Sequence, residues 1–388
     1  MKDWIKAQKL KGKVIFRTRI ENMKSFTPFL RCLFFAFLLA CGADKENKNP
    51  ESDDLLSQRA FFSIQAIVKP ISMGEKITFS FEMLDTSKIM DSLVYLIDDL
   101  KIGILAHPKF EKINVLWSSA GENPGKHDFK ILGFKNGKSV ENGIQSFNLK
   151  SNLIPEQYTY EIVKTFPHNS QSFTQGLEWY NNALWEGTGL NGKSAVMEID
   201  HITGKPIQKI DLDEEFFGEG ITIVNDKLLQ LTWQNKKGFI YALPKLVKIG
   251  EFSYPSDGWG ICHINNEVAL SDGTNIIHFY EANSLRRIRK IEVWDNKNPI
   301  GYINELEAAE GGIWGNKYQT DTLVKIDPAS GKVLAYANLE GILKEDDRTG
   351  EEDVLNGIAY QAAENLYYVT GKNWPKMFAI RLIKRRAI

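Results

Sequence analysis

A repeat of ~40–45 residues constrains the fold of this chain more than any other feature. Five segments align from residue 175 onward, and each contains an apolar run, a short turn and a second apolar run. Successive segments begin 44, 40, 45 and 52 residues apart. They read QGLEWYNNALW, EGITIVNDKLL, WGICHINNEVA, NELEAAEGGIW and NGIAYQAAENLYY.

The first four segments each continue with a third and a fourth strand-like run, and four strands per repeat are typical of propeller blades. The fifth repeat ends at KMFAIRL and lacks an outer strand. The stretch YTYEIVKTFP, residues 158–167, has the character of that strand, so we expect it to close the ring. The sequence therefore predicts a five-bladed β-propeller over residues 154–388. The alternative is a larger propeller that also uses the strands before residue 154.

Residues 61–153 show a different pattern. Short alternating runs such as KITFSF, SLVYLID and HDFKILGF are separated by turns such as GENPGK and KNGK. Alternation with a period of two at this spacing predicts a small Ig-like β-sandwich. The segment contains no cluster of acid, base or nucleophile, so we expect a spacer or docking module. The whole folded part is thus predicted to be all-β.

The N-terminal segment has the features of an export signal. From Met23 the chain has a basic region with Lys24 and Arg31, the apolar run LFFAFLLA and then Cys41. The apolar run is too short to span a bilayer. LLAC followed by Gly42 resembles the lipobox of bacterial lipoproteins, which implies cleavage before Cys41 and attachment of lipid to its thiol. The alternative is a plain secretory signal with an incidental cysteine.

This interpretation gives residues 1–40 as the signal region and residues 41–60 as a polar, flexible tether. Residues 1–22 carry seven lysine and arginine side chains and do not suit a signal, so we expect translation to start at Met23. The protein is then expected to be exported. Its lipid would hold it on the cell envelope, facing the periplasm or the cell surface.

The composition limits the kinds of partner and cofactor that the protein is expected to bind. The net charge is −1 and no basic face is apparent, which argues against nucleic-acid binding. The three cysteines have no metal-ligand spacing and the six histidines are scattered, so we expect no metal and no cofactor. Cys262 is expected to be a buried structural thiol, and the protein to be a monomer.

One mouth of the predicted propeller collects polar and aromatic residues. Neighbouring strands of a blade are antiparallel, so the inner strand begins and the second strand ends on the same face. Each residue alone has a simpler interpretation as packing or as a partner of the backbone. One such residue per blade at the same register favours a ligand site instead. The residues are Gln175, Glu219, Trp259, Asn304 and Asn356 on inner strands, Trp233, Tyr318 and Lys372 after second strands, and Phe173 and Phe217 on incoming loops.

The motifs around this mouth resemble a known family. SFTQGLEW, FGEGIT, QLTW, DGWGI, INELE, IWGNKYQTD, LNGIAY and TGKNWP follow, in order, the motif series of the plant and bacterial glutamine cyclotransferases. The resemblance covers roughly residues 158–385. It implies a five-bladed propeller that converts N-terminal glutaminyl peptides into pyroglutamyl peptides and ammonia without a catalytic metal. Such an enzyme is an acyltransferase, and its partners are peptides or proteins that begin with glutamine.

The resemblance also implies roles for individual residues. Glu219 of FGEGIT corresponds to the acid–base group. Tyr318 departs from the pattern, because the family commonly has a tryptophan there. The pocket-lining residues that carry over are Phe173, Gln175, Trp233, Trp259, Asn304 and Lys372.

The chemistry of the reaction agrees with this assignment. Cyclisation joins the α-amine of the substrate to its own γ-carboxamide carbon, so it needs a held conformer and proton transfer rather than an enzyme nucleophile. An apolar wall of Phe217, Trp233 and Trp259 would raise the pKa of Glu219 toward neutrality. Asn304 or Lys372 would polarise the γ-carbonyl.

Two other functions stay open from the sequence. One is a non-catalytic propeller that binds peptide N-termini. The other is a five-bladed glycoside hydrolase, which needs two carboxylates, whereas the aligned inner-strand positions supply only Glu219.

Overall fold

The computed structural model describes residues 61–85, 87–109 and 111–386. The predicted signal, Cys41 and the tether lie outside these described residues. The regular secondary structure of the described residues is β, apart from one 3-10 turn at Glu345–Asp347. The prediction of an all-β fold is therefore confirmed. The described part of the chain has no helix long and apolar enough to cross a membrane.

The first eight strands form two facing sheets. Phe79 and Phe129, one from each sheet, stack at 4.2 Å between ring centroids in the shared apolar core. One sheet has the order β1-β3-β6 and the other β2-β8-β7-β4-β5. The strands are β1 (Phe62–Ile64), β2 (Ile71–Ser72), β3 (Lys76–Met83), β4 (Ser92–Ile97), β5 (Leu100–Ala106), β6 (Ile113–Ser118), β7 (Gly125–Lys135) and β8 (Lys138–Lys150). A sandwich is thus present, while the domain boundary at residue 153 stays a prediction.

Three blades of the propeller are separate four-stranded antiparallel sheets. The first blade is β10 (Thr174–Tyr180), β11 (Ala183–Thr188), β12 (Ala195–Asp200) and β13 (Lys205–Asp211). The second is β14 (Gly218–Val224), β15 (Lys227–Thr232), β16 (Lys237–Ala242) and β17 (Val247–Ser253). The third is β18 (Ile261–Ile264), β19 (Glu267–Ser271), β20 (Ile276–Glu281) and β21 (Arg287–Glu292).

The other two blades share one eight-stranded sheet. They are joined because β9 and β25 pair in parallel over a short stretch, with Tyr158 opposite Ala337. The fourth blade is β22 (Ile303–Ala309), β23 (Gly312–Lys317), β24 (Thr322–Ile326) and β25 (Val333–Asn338). The fifth is β26 (Leu355–Gln361), β27 (Leu366–Gly371), β28 (Lys376–Lys384) and β9 (Glu156–Pro167).

The ring closes as the sequence predicts. Strand β9 pairs antiparallel with β28 along residues 158–167 and so supplies the outer strand of the fifth blade. The inner strands β10, β14, β18, β22 and β26 contact one another in that order, and β26 returns to β10. The propeller therefore has five blades, and the alternative of a larger ring is wrong.

The hairpin turns also follow the sequence. Asn181 and Asn182 have φ of 49° and 62°, and Asn225 and Asp226 have φ of 49° and 58°. Two successive positive φ angles define the type I′ turn, whose twist matches that of the strands it joins, and Asn and Asp tolerate this conformation best. The Asn-rich turns therefore fix the register of the first and second strands in these blades.

Just below the mouth, the inner strands approach too closely for side chains. A Cβ atom on Gly220 would lie 2.8 Å from the Trp259 carbonyl oxygen, and one on Gly260 would lie 2.1 Å from that of Asn304. The fourth blade instead places Glu305 at this level. Its carboxyl group accepts hydrogen bonds from the backbone N–H groups of Leu177 at 3.2 Å and Ile358 at 3.1 Å. Glu305 thus plugs the channel beneath the mouth.

This plug predicts a pH dependence of stability. Glu305 is 1% exposed, and burial raises its pKa well above the usual value, while the N–H groups of Leu177 and Ile358 oppose the rise. The folded state therefore holds the proton more tightly than the unfolded chain, whose Glu pKa is about 4.3. As the pH rises from there to the folded-state pKa, the wild type should lose up to about 1.4 kcal/mol of unfolding free energy per pH unit relative to Glu305→Gln.

Urea unfolding of both proteins at several pH values measures this difference. Glu364→Gln at an exposed turn is the control and should follow the wild type. Parallel pH curves for the wild type and Glu305→Gln would contradict a protonated plug.

Candidate active site

The inner strands bring their first polar residues together at one mouth. Gln175, Glu219, Asn304 and Asn356 open the inner strands of four blades, and all are buried, at most 4% exposed. Trp259 occupies the same position just before β18 and is half-buried. Since these strands contact one another around the ring, the side chains line the top of one channel.

An arc of aromatic rings forms the wall above them. Phe217 lies 6.1 Å from Phe173 and 5.6 Å from Trp233, edge to face in both pairs. On the other side Trp259 and Tyr318 make the same kind of contact at 5.6 Å. Trp233, which could equally have been a core residue, is half-buried and lies on this wall. The predicted aromatic residues are therefore gathered in space.

Lys372 joins the two halves of the arc. Its Nζ lies 4.8 Å from the ring centroid of Phe173 and 5.2 Å from that of Tyr318. The side chain is buried, which lowers its pKa, while the carboxylates of Glu219 and Asp353 favour the charged form. Contact with two ring faces compensates in part for lost hydration of the ammonium. Lys372 is thus held at the mouth rather than exposed to solvent.

Glu219 has the electrostatics of a proton-transfer group. Burial raises its pKa well above the usual value, the Lys372 charge opposes this rise, and Asp257 adds to it. Tyr254 and Tyr318 also face it, and the Glu219 charge helps to raise their pKa values. A raised pKa makes a carboxyl easier to protonate, which suits a group that both accepts and donates a proton.

Gln175 and Asn356 are neighbours across the seam between the fifth and first blades. Asn356 Nδ2 donates to Gln175 Oε1 at 3.2 Å and to the Thr174 carbonyl oxygen at 3.0 Å. Because its oxygen is engaged, Gln175 is left with its N–H groups for other partners. Gln175 therefore offers a donor at the mouth.

Asp257 is not among the residues predicted from the sequence, although it lies in the DGWGI motif that indicated Trp259. Burial raises the pKa of Asp257, while the Lys236 charge and a hydrogen bond from the Trp233 side chain oppose the rise. The Gly258 N–H donates to the Trp233 carbonyl oxygen at 2.9 Å, which fixes this loop against the aromatic wall. The charge of the Asp257 carboxylate in turn adds to the rise in the pKa of Glu219.

A buried histidine–glutamate pair was also missed. His168 Nε2 lies 3.2 Å from Glu186 Oε1, and each side chain is 1% exposed. Burial disfavours a charged imidazole, but Glu186 outweighs this and raises the pKa of His168. The other ring nitrogen lies 2.8 Å from the carbonyl oxygen of Trp374, two residues after Lys372. The pair therefore ties the first blade to the loop that carries the ammonium.

Cys262 is buried on β18, as expected. Burial raises its pKa well above the usual value, and the charges of Glu307, Glu178 and Glu305 add to the rise. A thiol that is held protonated is a poor nucleophile. Across the residues that the structure describes, no group of three or more His, Cys, Asp or Glu side chains is arranged to hold a metal ion.

The arrangement suits a small, neutral or cationic, polar group enclosed by aromatic rings. It combines a buried carboxyl that can transfer a proton, an ammonium that can polarise an oxygen, and amides that can orient a ligand.

Comparisons with known proteins agree with the motif resemblance. The family model described as glutamine cyclotransferase matches residues 139–382. A glutaminyl-peptide cyclotransferase from Arabidopsis thaliana is 37% identical over 228 residues, which cover 57% of this chain and 71% of that protein. The crystal structure of Myxococcus xanthus glutaminyl cyclase superposes with a TM-score of 0.57 at 28% identity, covering 60% of this chain and all of that one.

Proposed function

The chain belongs to the glutamine cyclotransferase family, and we propose that it converts the N-terminal glutamine of peptides into pyroglutamate and ammonia, with Glu219 as acid–base group. The observation that carries the mechanism is the buried Glu219 carboxyl with a raised pKa, opposite a buried ammonium and within an aromatic wall. The transferred acyl group is the γ-acyl group of the substrate itself. The enzyme is thus an acyltransferase.

Proton transfer is the first requirement. The α-amine of the substrate attacks its own γ-carbonyl carbon, forming the new N–C bond of the lactam. Glu219 takes a proton from the attacking nitrogen and delivers it to the γ-nitrogen, and the old C–N bond then breaks to release ammonia. One carboxyl serves both steps, and a positioned acid–base group contributes about 10²–10⁴-fold to the rate.

Charge stabilisation is the second requirement. Negative charge develops on the γ-carbonyl oxygen while the tetrahedral intermediate exists. Lys372 is the electrophile that we favour, because its ammonium is buried and held by Phe173 and Tyr318. Asn304 is the alternative electrophile that the sequence indicates.

Positioning is the third requirement. The glutamine side chain must fold back so that its own amine reaches its own carbonyl carbon. Phe173, Phe217, Trp233, Trp259 and Tyr318 are proposed to enclose it and exclude water, and Gln175 to orient it. Holding a near-attack conformer can contribute several kcal/mol.

The direct test is to incubate the purified protein with a short Gln-initiated peptide. Ammonia and a pyroglutamyl product in equal amounts are expected. Peptide binding without ammonia would instead support a non-catalytic binding propeller. If the peptide does not bind and the protein cleaves a glycoside, the proposal is wrong.

The pH profile of kcat/KM tests how neighbouring charges shift the pKa of Glu219. Its acid limb should report the pKa of Glu219 in the free enzyme. Because the Asp257 charge raises that pKa, Asp257→Asn should move the acid limb to lower pH. Asp211→Asn, at an exposed position on the outer strand of the first blade, is the matched control. An unmoved limb in Asp257→Asn would show that another group controls it.

We also propose that the protein is a lipid-anchored monomer of the cell envelope. The support is the sequence pattern around Cys41, namely the basic region, the run LFFAFLLA and the following glycine.

Labelled fatty acid supplied to an expressing bacterium tests the anchor. The wild type should incorporate the label and fractionate with membranes. Cys41→Ser should lose both properties, whereas Cys32→Ser, in the same segment, should keep them. A wild type that never takes up label would contradict the proposal.

A further inference from the structure

Asn356 has no role in the mechanism described so far. It opens β26 at the register of Gln175, Glu219 and Asn304. Its relative exposure is 0%, although an amide is costly to bury unless its polar atoms find partners.

The orientation of the Asn356 amide is fixed by its neighbours. Nδ2 donates to the carbonyl oxygen of Thr174 and to Oε1 of Gln175. Rotating the amide by half a turn would place Oδ1 against two oxygen acceptors. The nitrogen therefore faces the first blade, and Oδ1 is the atom left over.

That oxygen is buried and unsatisfied. Asn356 Oδ1 has no hydrogen-bond partner among the described residues. Asn304 Oδ1, on the neighbouring inner strand β22, is buried and unpartnered in the same way. Two orphan carbonyl oxygens on neighbouring inner strands are unusual, since nearly all buried polar groups in native proteins are paired.

The polar side chains at the mouth therefore fall into two groups, hydrogen-bond donors and hydrogen-bond acceptors. Gln175 must present N–H groups because Asn356 occupies its oxygen. Lys372 is also a donor, and Trp259 Nε1 is a buried donor with no partner in the described chain. Asn304 and Asn356 hold buried acceptor atoms that have no partner in the described chain.

A primary carboxamide matches this division. Its oxygen accepts hydrogen bonds and its nitrogen carries two N–H donors, whereas a carboxylate has acceptors only. We propose that Asn356, together with Asn304, accepts the N–H groups of the substrate γ-carboxamide and so selects glutamine against glutamate at the peptide N-terminus. This inference rests on the proposed cyclisation.

The assignment is compatible with the departure of ammonia. The two acceptors hold the N–H groups and leave the nitrogen lone pair for the proton from Glu219. An ionised glutamate side chain would instead direct oxygen atoms at two carbonyl oxygens. A site whose buried polar groups hydrogen-bond a substrate group strongly rejects analogues that lack this group.

Asn356→Ser tests the inference. Serine keeps a small polar side chain but is shorter and lacks the amide oxygen, so it presents no acceptor where Asn356 Oδ1 lies. kcat/KM for a Gln-initiated peptide should fall by about 10–100-fold, the cost of an unmade buried hydrogen bond. The inhibition constant of the matching Glu-initiated peptide at neutral pH should stay within about 2-fold of wild type, because a carboxylate gains nothing from Oδ1.

Two further variants secure the result. Gln361→Ala, at the other end of β26, removes another buried oxygen that has no partner in the described chain and should leave both constants unchanged. Asn304→Ser should lower Gln/Glu selectivity in the same direction as Asn356→Ser, which keeps the test valid if one variant folds poorly.

Equal weakening of the Gln- and Glu-initiated peptides in both serine variants would show a positioning role and overturn the inference. So would unchanged kinetics for the Gln-initiated peptide in folded protein. Failure of the cyclisation itself is distinguished, because the wild type would then release no ammonia.

Discussion

Close backbone approach of the inner strands is the constraint on which the structure depends. At Gly220 and Gly260 a single added carbon would collide with the carbonyl group of the neighbouring strand. This spacing holds the residue just above each glycine at a fixed distance from its neighbours. The mouth therefore receives one side chain per blade, and Glu305 seals the channel below it. Rigid backbone of this kind is what a preorganised site requires.

Burial then determines the chemistry of the mouth. Glu219 and Lys372 are both withdrawn from water, which raises the pKa of the acid and lowers that of the amine, while their mutual attraction opposes both shifts. Backbone hydrogen bonds within the fifth blade hold Lys372, and the His168–Glu186 pair also ties its loop to the first blade. The strand exchange by β9 thus serves the site as well as the fold.

Local patterns in the sequence predicted most of the fold. The repeat predicted the blades, Asn-rich turns such as Asn181-Asn182 predicted the hairpins, and the incomplete fifth repeat predicted the closing strand. The mouth residues were found because they share one register. His168 and Glu186 could not be found, since their pairing joins separate blades and neither lies at the register that the mouth residues share. Two features could have been predicted from the sequence. Four of the five residues that open the inner strands are followed by glycine, and Asp257 lies within the DGWGI motif.

The central claim is that Glu219 shuttles the proton. The variant Glu219→Gln keeps the volume and hydrogen-bonding reach of the side chain but cannot titrate. Measuring kcat, KM and thermal unfolding on this variant is the most direct test. The account predicts a fall in kcat of at least ~10²-fold, a nearly unchanged KM and an intact fold, because proton transfer is lost in the transition state rather than the ground state. Normal turnover by a normally folded Glu219→Gln protein would contradict it.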